Sequence, residues 1–393
     1  MLMMMNISRR EMLLGSAATV VSGMLGQRVA ADETESSRRP TMRVISRQPH
    51  LYHGWPTVTR RRNGQLVLVY SGGREGHVCP FGRVEMMTSN DEGQTWTWPR
   101  VLLDTAIDDR DAGVVETAKG TLLVTTFTSL AYESILDQAE RTAPDQPGAW
   151  AAEKLQRWRA AHHRLTAGRL REQLGSWVLR SVDGGAGFSA PIRCPVNSPH
   201  GPIQLANGRL LYAGKELWTS KKRVGVCAST DDGQTWRWLA TIPHRPGDDH
   251  GAYHELHAVQ AGDGRLVVHI RNHNKANDRE TLQTESTDGG RSWTTPRSIG
   301  VWGLPSHLLR LADGRLLMTY GHRRKPFGNQ ARVSSDHGRT WSAALRISSD
   351  GANGDLGYPS TVQLVDGSLL TVWYEKMRGS DYAVLRQARW PLP

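Results

Sequence analysis

The phrase Ser-x-Asp-x-Gly-x-Thr/Ser-Trp constrains this chain more than any other feature. It occurs at Ser89-Asp91-Gly93-Thr95-Trp96, Ser229-Asp231-Gly233-Thr235-Trp236, Ser286-Asp288-Gly290-Ser292-Trp293 and Ser334-Asp336-Gly338-Thr340-Trp341. A degraded copy is Ser181-Asp183-Gly185, with Phe188 in the aromatic position. The phrase reads as a hairpin turn. Asp bonds to turn amides, Gly takes a backbone angle that other residues avoid, and the aromatic packs on the adjoining sheet. Repetition at this scale points to a modular all-β chain of short strands.

A second turn, Gly-x-Leu, opens an apolar strand six times: Gly64-Gln65-Leu66, Gly120-Thr121-Leu122, Gly208-Arg209-Leu210, Gly264-Arg265-Leu266, Gly314-Arg315-Leu316 and Gly367-Ser368-Leu369. In the first five units the Asp turn follows it. Each unit then reads as strand, turn, strand, loop, strand, Asp turn, strand. Six four-stranded units predict an all-β, six-bladed β-propeller over 41–393. The sixth unit lacks the Asp turn, and Met42–Ser46 is expected to pair with it and close the ring. Residues 131–176 interrupt the second blade and favour helix, as in AAEKLQRWRAAHHRLTAGRLREQL. A helical insertion of one or two helices is expected there, serving as surface decoration, an oligomer contact or a wall of a cleft.

The N-terminus reads as an address. Ser8-Arg9-Arg10-Glu11-Met12-Leu13-Leu14, a modest apolar stretch to about Gly26 and Val29-Ala30-Ala31 form a twin-arginine export signal over 1–31, with a solvated linker over 32–40. Export to the periplasm or medium follows. The apolar stretch is too short and too rich in small residues for a stable membrane span. Cys79, Cys194 and Cys227 lie in no C-x-x-C spacing and give neither a disulfide framework nor a cysteine metal site. The net charge of +11 favours an acidic partner. Because the basic residues are scattered and form no recognition motif, that partner reads as an acidic glycan rather than nucleic acid.

In a propeller the first strand of each blade lines the central channel, and the starts of these strands converge. They carry Tyr52-His53-Gly54-Trp55-Pro56, Asp109-Arg110-Asp111-Ala112, Ser198-Pro199-His200-Gly201, Tyr253-His254-Glu255-Leu256-His257, Pro305-Ser306-His307 and Gly357-Tyr358-Pro359. The ends of the second strands add Arg74 with Glu75 and His77, Lys215, Arg271, Arg323-Arg324 and Glu375. Arg74, Arg271 and Arg323 occupy equivalent positions in three blades and suit a substrate carboxylate, which Arg binds through two parallel hydrogen bonds. His53, His200 and His254 come from different blades without ligand spacing. They are expected to bond a sugar rather than hold a metal, and no cofactor is implied.

These phrases resemble the sialidase superfamily over almost the whole chain past the signal. The resemblance places that family's conserved glutamate on Glu255, one of its carboxylate-binding arginines on Arg271 and its nucleophilic tyrosine on Tyr358, which is followed by Tyr374-Glu375. It implies an exo-acting glycoside hydrolase in which a tyrosine, deprotonated by glutamate, attacks the sugar. A neutral phenol escapes the repulsion that a carboxylate nucleophile would meet from an acidic substrate. The first half of the chain departs from the family. Gly54-Trp55-Pro56 stands where sialidases carry Arg-Ile-Pro, and the loop after Arg74 has no match for their acid/base aspartate. Asp111 or Glu75 is left to supply that role, and Arg323 is a third arginine by blade position only. Sialic acid is the first substrate expectation, a uronate hydrolase or lyase the second, and a non-catalytic glycan-binding propeller the third. The double substitution Arg9→Lys, Arg10→Lys should retain the protein in the cytoplasm, as fractionation would show.

Overall fold

The computed structural model describes residues 40–276 and 280–392. The export signal read over 1–31, and all of the 32–40 linker except Pro40, lie outside them. The described chain forms six four-stranded antiparallel sheets, a six-bladed β-propeller. The inner strands are Tyr52–Arg60, Asp108–Glu116, Ile203–Gln204, Tyr253–Gln260, Ser306–Arg310 and Leu356–Gln363. In the first five blades the sheet order follows the sequence order. The sixth runs outward through Leu369–Lys376 and Ala383–Trp390 and takes its outermost strand, Thr41–Val44, from the N-terminal end. That strand pairs in register from Thr41 opposite Arg389 to Val44 opposite Arg386, which closes the ring.

Packing follows the repeat. The six leucines of the Gly-x-Leu turns are all 0% exposed, so each plugs a seam between blades. One apolar cluster fills each seam. Val67, Val69, Val114 and Val124 join the first and second blades, for example, and Leu68, Trp96, Leu370 and Val372 join the first and sixth.

The Asp turns are bonded as the repeat implies. In the first, Ser89 Oγ donates to Asp91 Oδ1 at 2.7 Å, Gly93 N donates to Ser89 Oγ at 2.8 Å, and Thr95 N donates to Asp91 Oδ1 at 2.8 Å. Gly93 has a φ of 82°, the left-handed region that glycine enters most readily. The degraded copy keeps the network, with Gly187 N replacing the threonine amide at 2.9 Å from Asp183.

The insertion differs from the expectation in helix number. It holds three helices: α1 (Glu133–Arg141), α2 (Ala152–His162) and α3 (Ala167–Glu172). Trp158, Leu136, Leu170 and Tyr132 pack with Cys79 and Ile107 and so fix the helices to the seam of the first two blades. The three cysteines are buried and free. Among the described residues, no helix is long and apolar enough to cross a membrane.

Trp236 is 8% exposed, packs on Tyr212 and donates its indole N–H to Gly233 O at 3.2 Å. Trp236→Ala should lower stability by about 3–5 kcal/mol, read from denaturant unfolding.

Candidate active site

Four inner strands, and the turn that precedes the inner strand of the third blade, share one distortion. Trp55, Asp111, His200, Glu255 and Tyr358 have φ values of 53°, 43°, 71°, 42° and 53°, a region costly for residues other than glycine. The ladders shift register at these points, between Gly54 and Thr57, Arg110 and Gly113, His254 and Leu256, and Gly357 and Ser360. A bulge re-aims a side chain that a regular pleat would direct elsewhere. Close approach is built in beside it: a Cβ on Gly113 would lie 2.4 Å from Gly201 N, so only glycine lets the second inner strand meet the third blade there.

The bulges bring blades four and six together. Tyr358 Oη donates to Glu255 Oε1, and Arg271 Nη1 donates to Glu255 Oε2 and, at 3.2 Å, to Tyr358 Oη. Burial disfavours charge on Glu255, yet Arg271, the Tyr358 hydroxyl and Arg323 outweigh it and hold the carboxyl below its ordinary range. Burial pushes the Tyr358 phenol well up, and Glu255 adds to the shift, so the resting phenol keeps its proton. Arg323 crosses toward the same phenol. Its Nε donates to Leu356 O at 2.8 Å, its Nη2 donates to Tyr374 Oη at 3.3 Å, and its guanidinium lies 5.6 Å from the Tyr358 ring centre. Asp111 is only 7% exposed, and burial followed by the charge of Glu255 raises its carboxyl to about 7.

Arg74 does not join this group. It is wholly buried, grips Asp108 with both terminal nitrogens and donates to the carbonyls of Gly76, Asp109 and His77. With its donors committed, it acts as a strut between the first two blades. Its guanidinium stacks on Trp55 at 4.9 Å, and Arg110 stacks on the same indole at 4.4 Å. His53 is buried beside Tyr70, with Nδ1 3.4 Å from Ser46 Oγ, and does not face the pocket. His200 packs in the axial channel with His257 and His307, at ring separations of 5.4 and 5.0 Å. Channel histidines serve the ring itself: His257 Nδ1 accepts from Leu308 N at 2.9 Å, which satisfies the open edge of the next inner strand. Burial lowers the pKa of all three. His254 stands apart beside Lys215, 3.4 Å away, and His273. Glu75 is held by the insertion, accepting from Arg157 Nε at 2.9 Å and Trp158 Nε1 at 3.0 Å. Glu375 turns away to Trp373 and Arg386. Among the described residues, no cluster of three or more His, Cys, Asp or Glu side chains has the arrangement to hold a metal ion.

Sequence reasoning missed Asp355. Its Oδ1 accepts from Tyr52 Oη at 2.9 Å and Tyr374 Oη at 3.2 Å and lies 3.1 Å from His77 Nδ1. It sits in a Gly- and Asn-rich loop outside every repeat, so nothing in the spacing marks it.

Residues 153–371 match the model of the BNR repeat-like domain. The chain belongs to the BNR repeat-like domain family. Among solved structures, it is similar to a Dyadobacter fermentans protein of unknown function, with 23% identity, a TM-score of 0.72, and coverage of 91% of this chain and 100% of that one. It shares its fold with the NanB sialidase of Streptococcus pneumoniae, with 13% identity, a TM-score of 0.62, and coverage of 89% and 70%. The Trypanosoma rangeli sialidase matches with 15% identity and a TM-score of 0.58 over 89% of this chain and 59% of that one. A Paenibacillus xyloglucanase is 24% identical over 208 residues, which make up 46% of this chain and only 19% of that protein. The chain is therefore a BNR-repeat propeller that shares its fold with these sialidases.

Removing the partner of a buried arginine leaves an uncompensated charge. Asp108→Ala should therefore destabilise the fold by about 3–5 kcal/mol, measured by urea unfolding.

Proposed function

We propose that this BNR propeller is an exo-acting, retaining glycoside hydrolase that releases a terminal acidic sugar from a glycan, outside the cytoplasm. One observation carries the reading: the Tyr358 phenol is bonded to a Glu255 carboxylate that Arg271 clamps from its other side. Glu255 is ionised and positioned to take the phenolic proton as the oxygen attacks the anomeric carbon. Arg271 lies within reach of both and offsets the charge developing on the phenolic oxygen. A tyrosine nucleophile has a purpose where the substrate bears a carboxylate of its own, since the resting phenol carries no charge to repel it. Arg271 and Arg323 are the cations placed to bind that carboxylate.

Sialic acid is the first candidate sugar. One feature favours a second reading, in which the substrate is another acidic sugar such as a uronate. Gly54 stands at the position of the Arg-Ile-Pro arginine and brings no cation, and its neighbour Trp55, 1% exposed, stands edge-on to Tyr358 with ring centres 6.4 Å apart. Two arginines make a less cationic pocket than three. Sialyl-lactose and uronate oligosaccharides, assayed side by side, separate the two readings.

Tyr358→Phe should lower kcat by at least about 10³-fold, because the lost oxygen acts in both chemical steps. Lys215→Ala, which removes a side chain held by Gly251 O and His254, should leave kcat within about tenfold. Near-normal turnover by Tyr358→Phe on a substrate that the native enzyme cleaves would defeat the proposal.

A further inference from the structure

Retaining hydrolysis needs a second group, one that protonates the departing oxygen and later deprotonates water. Asp111 lies deep in the floor beside Glu255, and Glu75 is tied to α2. His77, in the loop between the second and third strands of the first blade, is placed differently. Its side chain is 47% exposed at the mouth. Its ring stands edge-on to Trp55, with centres 5.1 Å apart, and the same indole meets Tyr358 from the sixth-blade side. Nδ1 lies 3.1 Å from Asp355 Oδ1 and 2.9 Å from Tyr52 Oη. The backbone is pinned as well, since Arg74 Nη2 and Arg110 Nη1 each donate to His77 O at 3.0 Å.

Asp355 decides which nitrogen works. The hydroxyls of Tyr52 and Tyr374 both donate to its Oδ1. Burial opposes its ionisation, but the bonds from His77, Tyr52 and Tyr374 prevail and hold it below the ordinary carboxylate range. An ionised Asp355 only accepts, so Nδ1 carries the proton directed at it and Nε2 is left to exchange one with a ligand. Carboxylate, imidazole and free Nε2 form the arrangement by which an acid fixes the tautomer of a catalytic histidine.

Building on the glycosidase reading, we propose that His77, positioned by Asp355, is the general acid/base of this site. In the first step the Tyr358 oxygen bonds to the anomeric carbon and passes its proton to Glu255. The glycosidic C–O bond breaks with its electron pair on the leaving oxygen, which takes the proton from Nε2 of imidazolium His77. In the second step neutral Nε2 takes a proton from water as the water oxygen bonds to the anomeric carbon. The tyrosyl oxygen departs with its electron pair and recovers the proton from Glu255. Asp111, whose buried carboxyl is held up at about 7, stays in the floor beside Glu255.

The dependence on the leaving group tests this assignment. The purified native enzyme, His77→Gln, Asp111→Asn and Tyr358→Phe are compared on a 4-nitrophenyl glycoside of the acidic sugar and on its unactivated disaccharide, with melting temperatures as a check on folding. His77→Gln should lose about 10²–10⁴-fold on the disaccharide. It should still form the glycosyl-enzyme from the nitrophenyl glycoside, whose phenolate leaves without a proton, and added azide should restore turnover by yielding the glycosyl azide. Equal losses on both substrates, no loss on either, or the leaving-group signature in Asp111→Asn instead would overturn the role of His77. Tyr358→Phe separates the two levels: its failure on both substrates upholds the hydrolase reading whatever His77 does, and its activity defeats that reading.

Discussion

Closure of the ring is the constraint on which everything else rests. The Tyr358–Glu255 bond joins residues 103 positions apart in sequence, on the sixth and fourth blades. No local preference can hold those side chains together. They meet because six seams of apolar packing fix the rotation between neighbouring blades and because Thr41–Val44 completes the last sheet. A sheet left open would present an unpaired edge and a loose sixth blade. The same closure carries Asp355 and Tyr374 to the first blade, where they meet Tyr52 and His77.

Stability and chemistry occupy opposite ends of the blades. The Asp turns are self-contained networks in which one carboxylate satisfies the amides and hydroxyls around it, and they tolerate a lost tryptophan, as Phe188 shows. The other end is strained. Four residues read as channel-facing there, Asp111, His200, Glu255 and Tyr358, hold left-handed backbone angles, and so does Trp55. Buried strain of this kind persists only where the surrounding structure over-determines it. The Arg74–Asp108 pair and the stack of Arg74 and Arg110 on Trp55 supply part of that rigidity.

What the sequence revealed follows from the range of each interaction. Turn chemistry is local, so Gly-x-Leu and the Asp phrase exposed blade number, strand order and the closing strand. Glu255, Arg271 and Tyr358 were legible because they sit at fixed distances from those turns. Direction was not legible. Arg74 occupies the blade position of Arg271 but points at Asp108, a partner two residues before Arg110 that no repeat marks. His53 lies two residues from Trp55, and the bulging of the strand sends it toward Tyr70, while His200, in the turn before its inner strand, packs among the channel histidines. Asp355 and the grip of α2 on Glu75 arise from loop placement, which a single sequence encodes only through the finished fold.

The two halves of the pocket divide the labour. In the proposed mechanism, blades four and six hold a nucleophile and its base under a guanidinium, while the first blade offers an exposed imidazole braced by a carboxylate from the sixth. Both halves depend on Tyr358 forming a covalent bond to the sugar. The most direct measurement is mass spectrometry of the peptide containing Tyr358, after the enzyme is quenched during turnover of an activated fluoro-glycoside of the acidic sugar. A glycosyl adduct on Tyr358 is the expected result. Turnover with the adduct on another residue, or with inversion at the anomeric carbon and no adduct, would contradict a tyrosine nucleophile.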